Sequence, residues 1–155
     1  MWNRKRSVTL SIVVCFIFVG ILTAALFIGP WFVKTWFTAY RGWAENSKAM
    51  SDMLTLFVSC FYPCAAFAYI TLYSLLKVLI NIKKDEIFIS ANVKYLRLIS
   101  WCCFAVALIT LVAGIFYVPF LLVAAAAAFV GLMLRIIKNV MQNAVAISEE
   151  NELTI

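Results

Sequence analysis

Arg97-LISWCCFAVALITLVAGIFYVPFLLVAAAAAFVGLML-Arg135 carries no charge between its two terminal arginines. A single helix across those 38 positions would be about 57 Å long at 1.5 Å per residue. The hydrocarbon core of a bilayer is only about 30 Å thick. Gly114 and Pro119 bracket the middle of the run, and both residue types break helices. The segment therefore reads as two membrane spans folded into a hairpin, about 91–114 and 119–143, with a tight turn at Ile115 to Val118. Arg97 and Arg135 then snorkel to the same interface.

Working outward, charge is also missing from Ser7 to Pro30 and from Met53 to Leu76. One Lys or Arg at the centre of such a span costs roughly 2.5–3.5 kcal/mol, and the chain avoids that cost in every apolar run. These runs give a first span at about 8–29 and a second at about 53–76. Pro30 is expected to end the first span, because the residue before a proline is steered away from helix. Pro63 is expected to bend the second, and Asp52 in or near its first turn suits the positive end of the helix dipole. The basic Arg4, Lys5 and Arg6 followed by some 22 apolar residues read as an uncleaved signal anchor, too long for the h-region of a signal peptide. The fold class is all-α: an integral-membrane four-helix bundle forming a single domain over residues 1–155. The chain is 66% hydrophobic, well above a soluble domain.

Orientation follows from the basic residues. Ten of the thirteen Lys and Arg residues fall at one end, in the N-terminus, the loop at about 77–97 and the end of span four. Lys34, Arg41 and Lys48 fall at the other. The positive-inside rule then puts both termini, the central loop and the tail at 144–155 in the cytosol. The net charge of +6 sits beside apolar runs, so it reads as topology and not as direct nucleic-acid binding.

Three features are candidates for function. In the outer loop, 30–52, Phe32, Trp36, Tyr40 and Trp43 recur at helical spacing. They predict a short amphipathic helix on the outer leaflet, either an aromatic anchor or a docking face for a peptide or lipid. In the cytosolic loop, Lys83, Lys84, Phe88, Asn92 and Arg97 form a candidate partner surface together with Glu149, Glu150 and Asn151 of the acidic tail. Ser90 is the expected N-cap of the third helix, with Phe88 folding back on it as a hydrophobic staple. In span four, Ala124 to Ala128 and Gly131 form a smooth surface for close helix packing, within the chain or in a homo-oligomer.

Catalytic chemistry is not expected. There is no histidine, and no paired carboxylates or nucleophile–base pair lie within reach of the spans. The five cysteines all lie in apolar runs and read as small buried hydrophobes. Cys60 and Cys64 share a helix face, but two thiols alone make a weak metal site. No cofactor is expected.

Two segments carry a family resemblance. Leu79 to Trp101, LINIKKDEIFISANVKYLRLISW, and the ending EENELTI resemble a bacterial membrane-protein family catalogued only as a domain of unknown function. Its members have four predicted transmembrane helices, often end in Glu-Glu-Asn-Asp-Leu-Thr, and carry Phe, then Asn-Val, then Leu-Arg in the middle. Asp85 stands where members often have glycine, which argues against the usual tight turn there. Ala91 stands where they often have Glu, which argues against a need for that carboxylate. The resemblance implies a plasma-membrane protein encoded beside a small Cro/CI-type helix-turn-helix regulator, and hence a cytosolic DNA-binding partner. The resulting expectation is a non-enzymatic sensor or regulatory partner. The alternatives are a small transporter or channel subunit, or an immunity-type membrane protein.

Overall fold

The computed structural model describes residues 4–42 and 47–152. The chain forms four α-helices, α1 (Arg4–Arg41), α2 (Lys48–Lys83), α3 (Ser90–Gly114) and α4 (Pro119–Glu152). All four are long and apolar enough to cross a membrane; the protein is a multi-pass membrane protein. Successive helices are antiparallel and pack in chain order, α1 on α2, α2 on α3 and α3 on α4, and all four line a shared cavity of about 420 Å³, with Phe18 and Ile21 of α1 and Ala127 of α4 in its wall. The second helix of each pair finds its partner by short turns, which is the economical route for antiparallel neighbours.

The turns follow from local chemistry. Helix α1 stops after Arg41, where Gly42 takes φ +62°, the left-handed position that glycine occupies without strain. Ser47 caps α2, its hydroxyl oxygen accepting from the Met50 amide at 3.2 Å. Pro119 opens α4, the one helical position where its missing N–H costs nothing. Gly114 ends α3 because α4 returns too closely for a side chain: a Cβ there would overlap the Leu121 side chain and lie 3.3 Å from the Leu121 backbone nitrogen. The expected hairpin is thus present, with α3 ending at Gly114 and α4 starting at Pro119.

Helix α3 is the spine. It is the most buried of the four, with 39% of its apolar window enclosed against 6% for α1. Its buried face runs through Asn92, Val93, Leu96, Ile99, Ser100, Cys102, Ala107, Thr110 and Ala113, one side of the helix along its whole length. The α3–α4 contact is tight. A Cβ on Gly131 would sit 3.3 Å from the Cys103 Cβ, and the Ser100 hydroxyl donates to the Gly131 carbonyl at 2.9 Å. Of the small-residue surface on α4, Ala124 and Gly131 are buried within the chain, while Ala125 and Ala126 face outward.

Several boundaries differ from expectation. Helix α1 does not stop at Pro30, and Phe32, Trp36 and Tyr40 lie on its continuation, not on a separate helix. Two things let the helix pass. Gly29 has no Cβ to clash with the proline ring. The Leu26 carbonyl, which loses its N–H partner at Pro30, accepts instead from the Tyr62 hydroxyl of α2 at 3.1 Å. Polar groups in lipid need such repair. A second polar tie, Thr23 Oγ1 to Tyr69 Oη at 2.7 Å, joins the same two helices. Helix α2 runs unbroken through Pro63 and starts five residues earlier than expected, so its first turn holds no acid and Asp52 lies just beyond it. Helix α4 continues to Glu152, so most of the expected tail is helical; Ala144 and Ala146 favour helix, and Val145 is buried.

A candidate functional site at the cation-rich end

The loop between α2 and α3 is built from the backbone outward. At the end of α2 the Glu86 amide donates to the Asn81 carbonyl at 3.0 Å, and the Asp85 amide donates to the Ile82 carbonyl at 3.1 Å. These are the two bonds of a Schellman cap, whose pivotal residue must be left-handed. Asp85 supplies it, at φ +65°. The tight turn is therefore retained without glycine, because aspartate is among the few residues that tolerate this conformation.

Asn92 fixes the other side of the loop. Its side chain is fully buried. Nδ2 donates to the carbonyls of Glu86 at 3.0 Å and Ile87 at 2.9 Å. Oδ1 accepts from Asn81 Nδ2 at 2.8 Å. Only an amide can serve two carbonyls and one donor at once, so the network also fixes which way the Asn92 group points. Asn92 was expected on the exposed partner surface. Its place is beneath that surface, because its partners are backbone carbonyls that would be stranded without it. Ser90 likewise is the first helical residue and not the cap; Ile89 occupies the cap position with no side-chain bond. Phe88 does not fold back as a staple and is 54% exposed.

The remaining expected residues separate. Lys83 and Lys84 end α2, exposed beside the turn, and Phe88 is exposed in the same loop. Glu150 is exposed on the last turns of α4. Glu149 and Asn151 lie on that helix, with side chains outside the described residues. The Ser100–Gly131 register puts residue 141 level with Ser90, so about 11 residues of α4, some 16 Å, extend past the start of α3. Arg97 does not join Lys83 and Lys84. It lines a cavity of about 220 Å³ with Ser100, Trp101, Arg135 and Lys138. Trp101, Lys138 and Asn81 escaped the sequence reading, although Trp101 at i+4 from Arg97 and Lys138 at i+3 from Arg135 share faces with those arginines.

At the opposite end, Phe32, Trp36 and Tyr40 form an exposed ladder on α1. Ring centroids are 6.2 Å apart for the first pair and 4.2 Å for the second; Trp43 lies outside the described residues. A crevice of about 630 Å³ opens there between Asp52, Thr55 and Ser59 of α2 and Phe116 of the α3–α4 turn.

None of the curated proteins and none of the solved structures compared with this chain matches it. One family model does, and it takes in the last turn of α1 and all of α2, α3 and α4. On that match over residues 38–155, the chain belongs to the DUF2975 family, a family of proteins of unknown function.

Proposed function

We propose that the chain is a non-enzymatic regulatory partner in the bacterial plasma membrane, with both termini and the α2–α3 loop in the cytosol. In this reading it holds a small cytosolic helix-turn-helix regulator, and the outer aromatic ladder on α1 senses a lipid or peptide. The observation that carries the reading is the Asn81–Asn92 lock. It uses a fully buried amide to hold a short loop still, and that loop and the end of α2 expose Phe88, Lys83 and Lys84. An exposed aromatic on a rigid frame, in the same short loop as two exposed lysines, binds a partner at low entropic cost. The uneven distribution of Lys and Arg supports the orientation, and the family resemblance supports the class of partner.

The test is co-purification from native membranes with tagged full-length chain. A small DNA-binding protein should be recovered with the wild type and lost on Phe88→Asp, on the pair Lys83→Glu and Lys84→Glu, and on deletion of residues 149–155. Recovery of no such protein, or equal recovery with every variant, defeats the reading. The crevice at Asp52, Thr55 and Ser59 favours a second reading, a small transporter or channel subunit. Flux across liposomes that is unchanged on reconstitution excludes it. An immunity-type role shares the first reading's surfaces and is separated from it by sensitivity of cells to membrane-active peptides.

A further inference from the structure

Three cations converge where α3 and α4 leave their tight contact. Arg97, Arg135 and Lys138 line the 220 Å³ cavity with Ser100 and Trp101, and among the described residues no carboxylate lines it. The convergence is built in. The buried Ser100–Gly131 hydrogen bond clamps the two helices about one turn from Arg97 and Arg135. Arg135 is held over the Trp101 ring, its guanidinium carbon 5.9 Å from the centroid, and Trp101 is braced edge-on by Phe104 at 6.4 Å. Like charges brought together in this way repel one another, and an anion between them relieves that repulsion.

Depth identifies the anion. Arg97 lies 17 residues before Gly114 and Arg135 lies 16 residues after Pro119, so both are about 25 Å from the hairpin turn. With the turn at the far face of a hydrocarbon core of about 30 Å, the two backbones lie about 5 Å short of the near boundary, and the long basic side chains reach out from there to the level of the lipid phosphates. Trp101 is 60% exposed and stands one turn nearer the core than Arg97, an apolar wall of the kind found at headgroup level. The volume equals about seven waters, room for a phosphodiester and its glyceryl arm.

We propose that this cavity between α3 and α4 binds the phosphodiester headgroup of an anionic glycerophospholipid, with Arg97 and Arg135 as forked donors, Lys138 as a point charge and Trp101 flanking the acyl chains. The site is separate from the regulator-docking surface and does not depend on it. Arginine forks match phosphate oxygens, and basic cavities between transmembrane helices take such headgroups.

The experiment is native mass spectrometry of the full chain in non-ionic detergent, titrated with dioleoylphosphatidylglycerol or dioleoylphosphatidylcholine. Each cation near an anionic headgroup contributes about fivefold, so the anionic lipid should be retained about a hundredfold better, as a single adduct. The pair Arg97→Gln and Arg135→Gln should cut that preference about twenty-five-fold, and Lys138→Gln alone about fivefold. The pair Lys83→Gln and Lys84→Gln removes equal charge elsewhere and should leave it within twofold. Chainless glycerophosphoglycerol at a hundredfold excess should not displace the lipid. Far-UV circular dichroism confirms folding; if the arginine pair does not fold, Lys138→Gln decides the matter. Equal retention of the two lipids overturns the proposal. So does equal loss with the Lys83 and Lys84 pair, which would mean a diffuse field, or displacement by the chainless headgroup, which would mean a soluble phosphate ligand.

Discussion

Replacing Asn92 is expected to unlock the α2–α3 loop, and the size of the effect can be worked from its three side-chain bonds. Those bonds, at 2.8, 2.9 and 3.0 Å, each contribute about 1 kcal/mol net. Asn92→Ala removes all three and strands the Asn81 amide, a further 1–3 kcal/mol if no water reaches it. The expected loss is therefore about 3–6 kcal/mol. Asn92→Asp keeps the shape and the bond from Asn81 but turns an oxygen toward the Glu86 and Ile87 carbonyls. The introduced carboxyl must stay protonated to donate to either one. Holding it so at pH 7, some three units above its unperturbed value, costs about 4 kcal/mol. The sign is definite. The folded state binds a proton that the unfolded state has released, so the deficit of this variant is largest near neutrality and shrinks as pH falls toward about 4. Unfolding in mixed micelles, followed by far-UV circular dichroism between pH 4 and 8, measures the free energies. Hydrogen exchange at residues 82–90 reports the loop itself. A loss under 1 kcal/mol for either variant, or a pH-independent deficit for the aspartate variant, would refute the assignment of Asn92 as the lock.

Three further outcomes test the rest of the fold. Tyr62→Phe should cost about 0.6–2 kcal/mol in the wild type and much less once Pro30→Ala restores an amide for the Leu26 carbonyl; an additive double-mutant cycle would break the link between the two residues. Asp85→Val should destabilise the chain by about 1–2 kcal/mol through strain at the left-handed position, while Asp85→Gly should leave the turn itself unstrained, both read by the same unfolding assay and by hydrogen exchange at the loop. Gly131→Leu should cost about 1–3 kcal/mol through overpacking against Cys103 and Phe104, whereas Ala126→Leu on the outward face should change stability by less than 0.5 kcal/mol.

The architecture was legible because it is set by the bilayer. A charge gap of fixed length forces a hairpin, and Gly114 with Pro119 places the turn to the residue. What escaped depended on partners distant in sequence. Pro30 reads locally as a stop signal, and the Tyr62 hydroxyl that lets the helix continue belongs to another helix. Asn92 reads as a surface residue because hydropathy patterns register side chains, while the groups it serves are main-chain carbonyls. Asp85 was judged by the rule that glycine fills left-handed turns, and aspartate is one of the exceptions. The candidate surface was half legible. Lys83, Lys84 and Phe88 lie where their pattern places them, but Arg97 turns to α4, since the face of α3 it shares with Trp101 is the one that meets Arg135.

The chain-order packing of the helices bears on how the protein is made. Each helix entering the membrane finds the neighbour it packs against most extensively already inserted, and the α1–α2 contact is complete before α4 arrives. Biogenesis can then proceed as a running zipper with little exposure of unpaired polar groups, and a chain truncated before α4 retains the whole α1–α2–α3 interface.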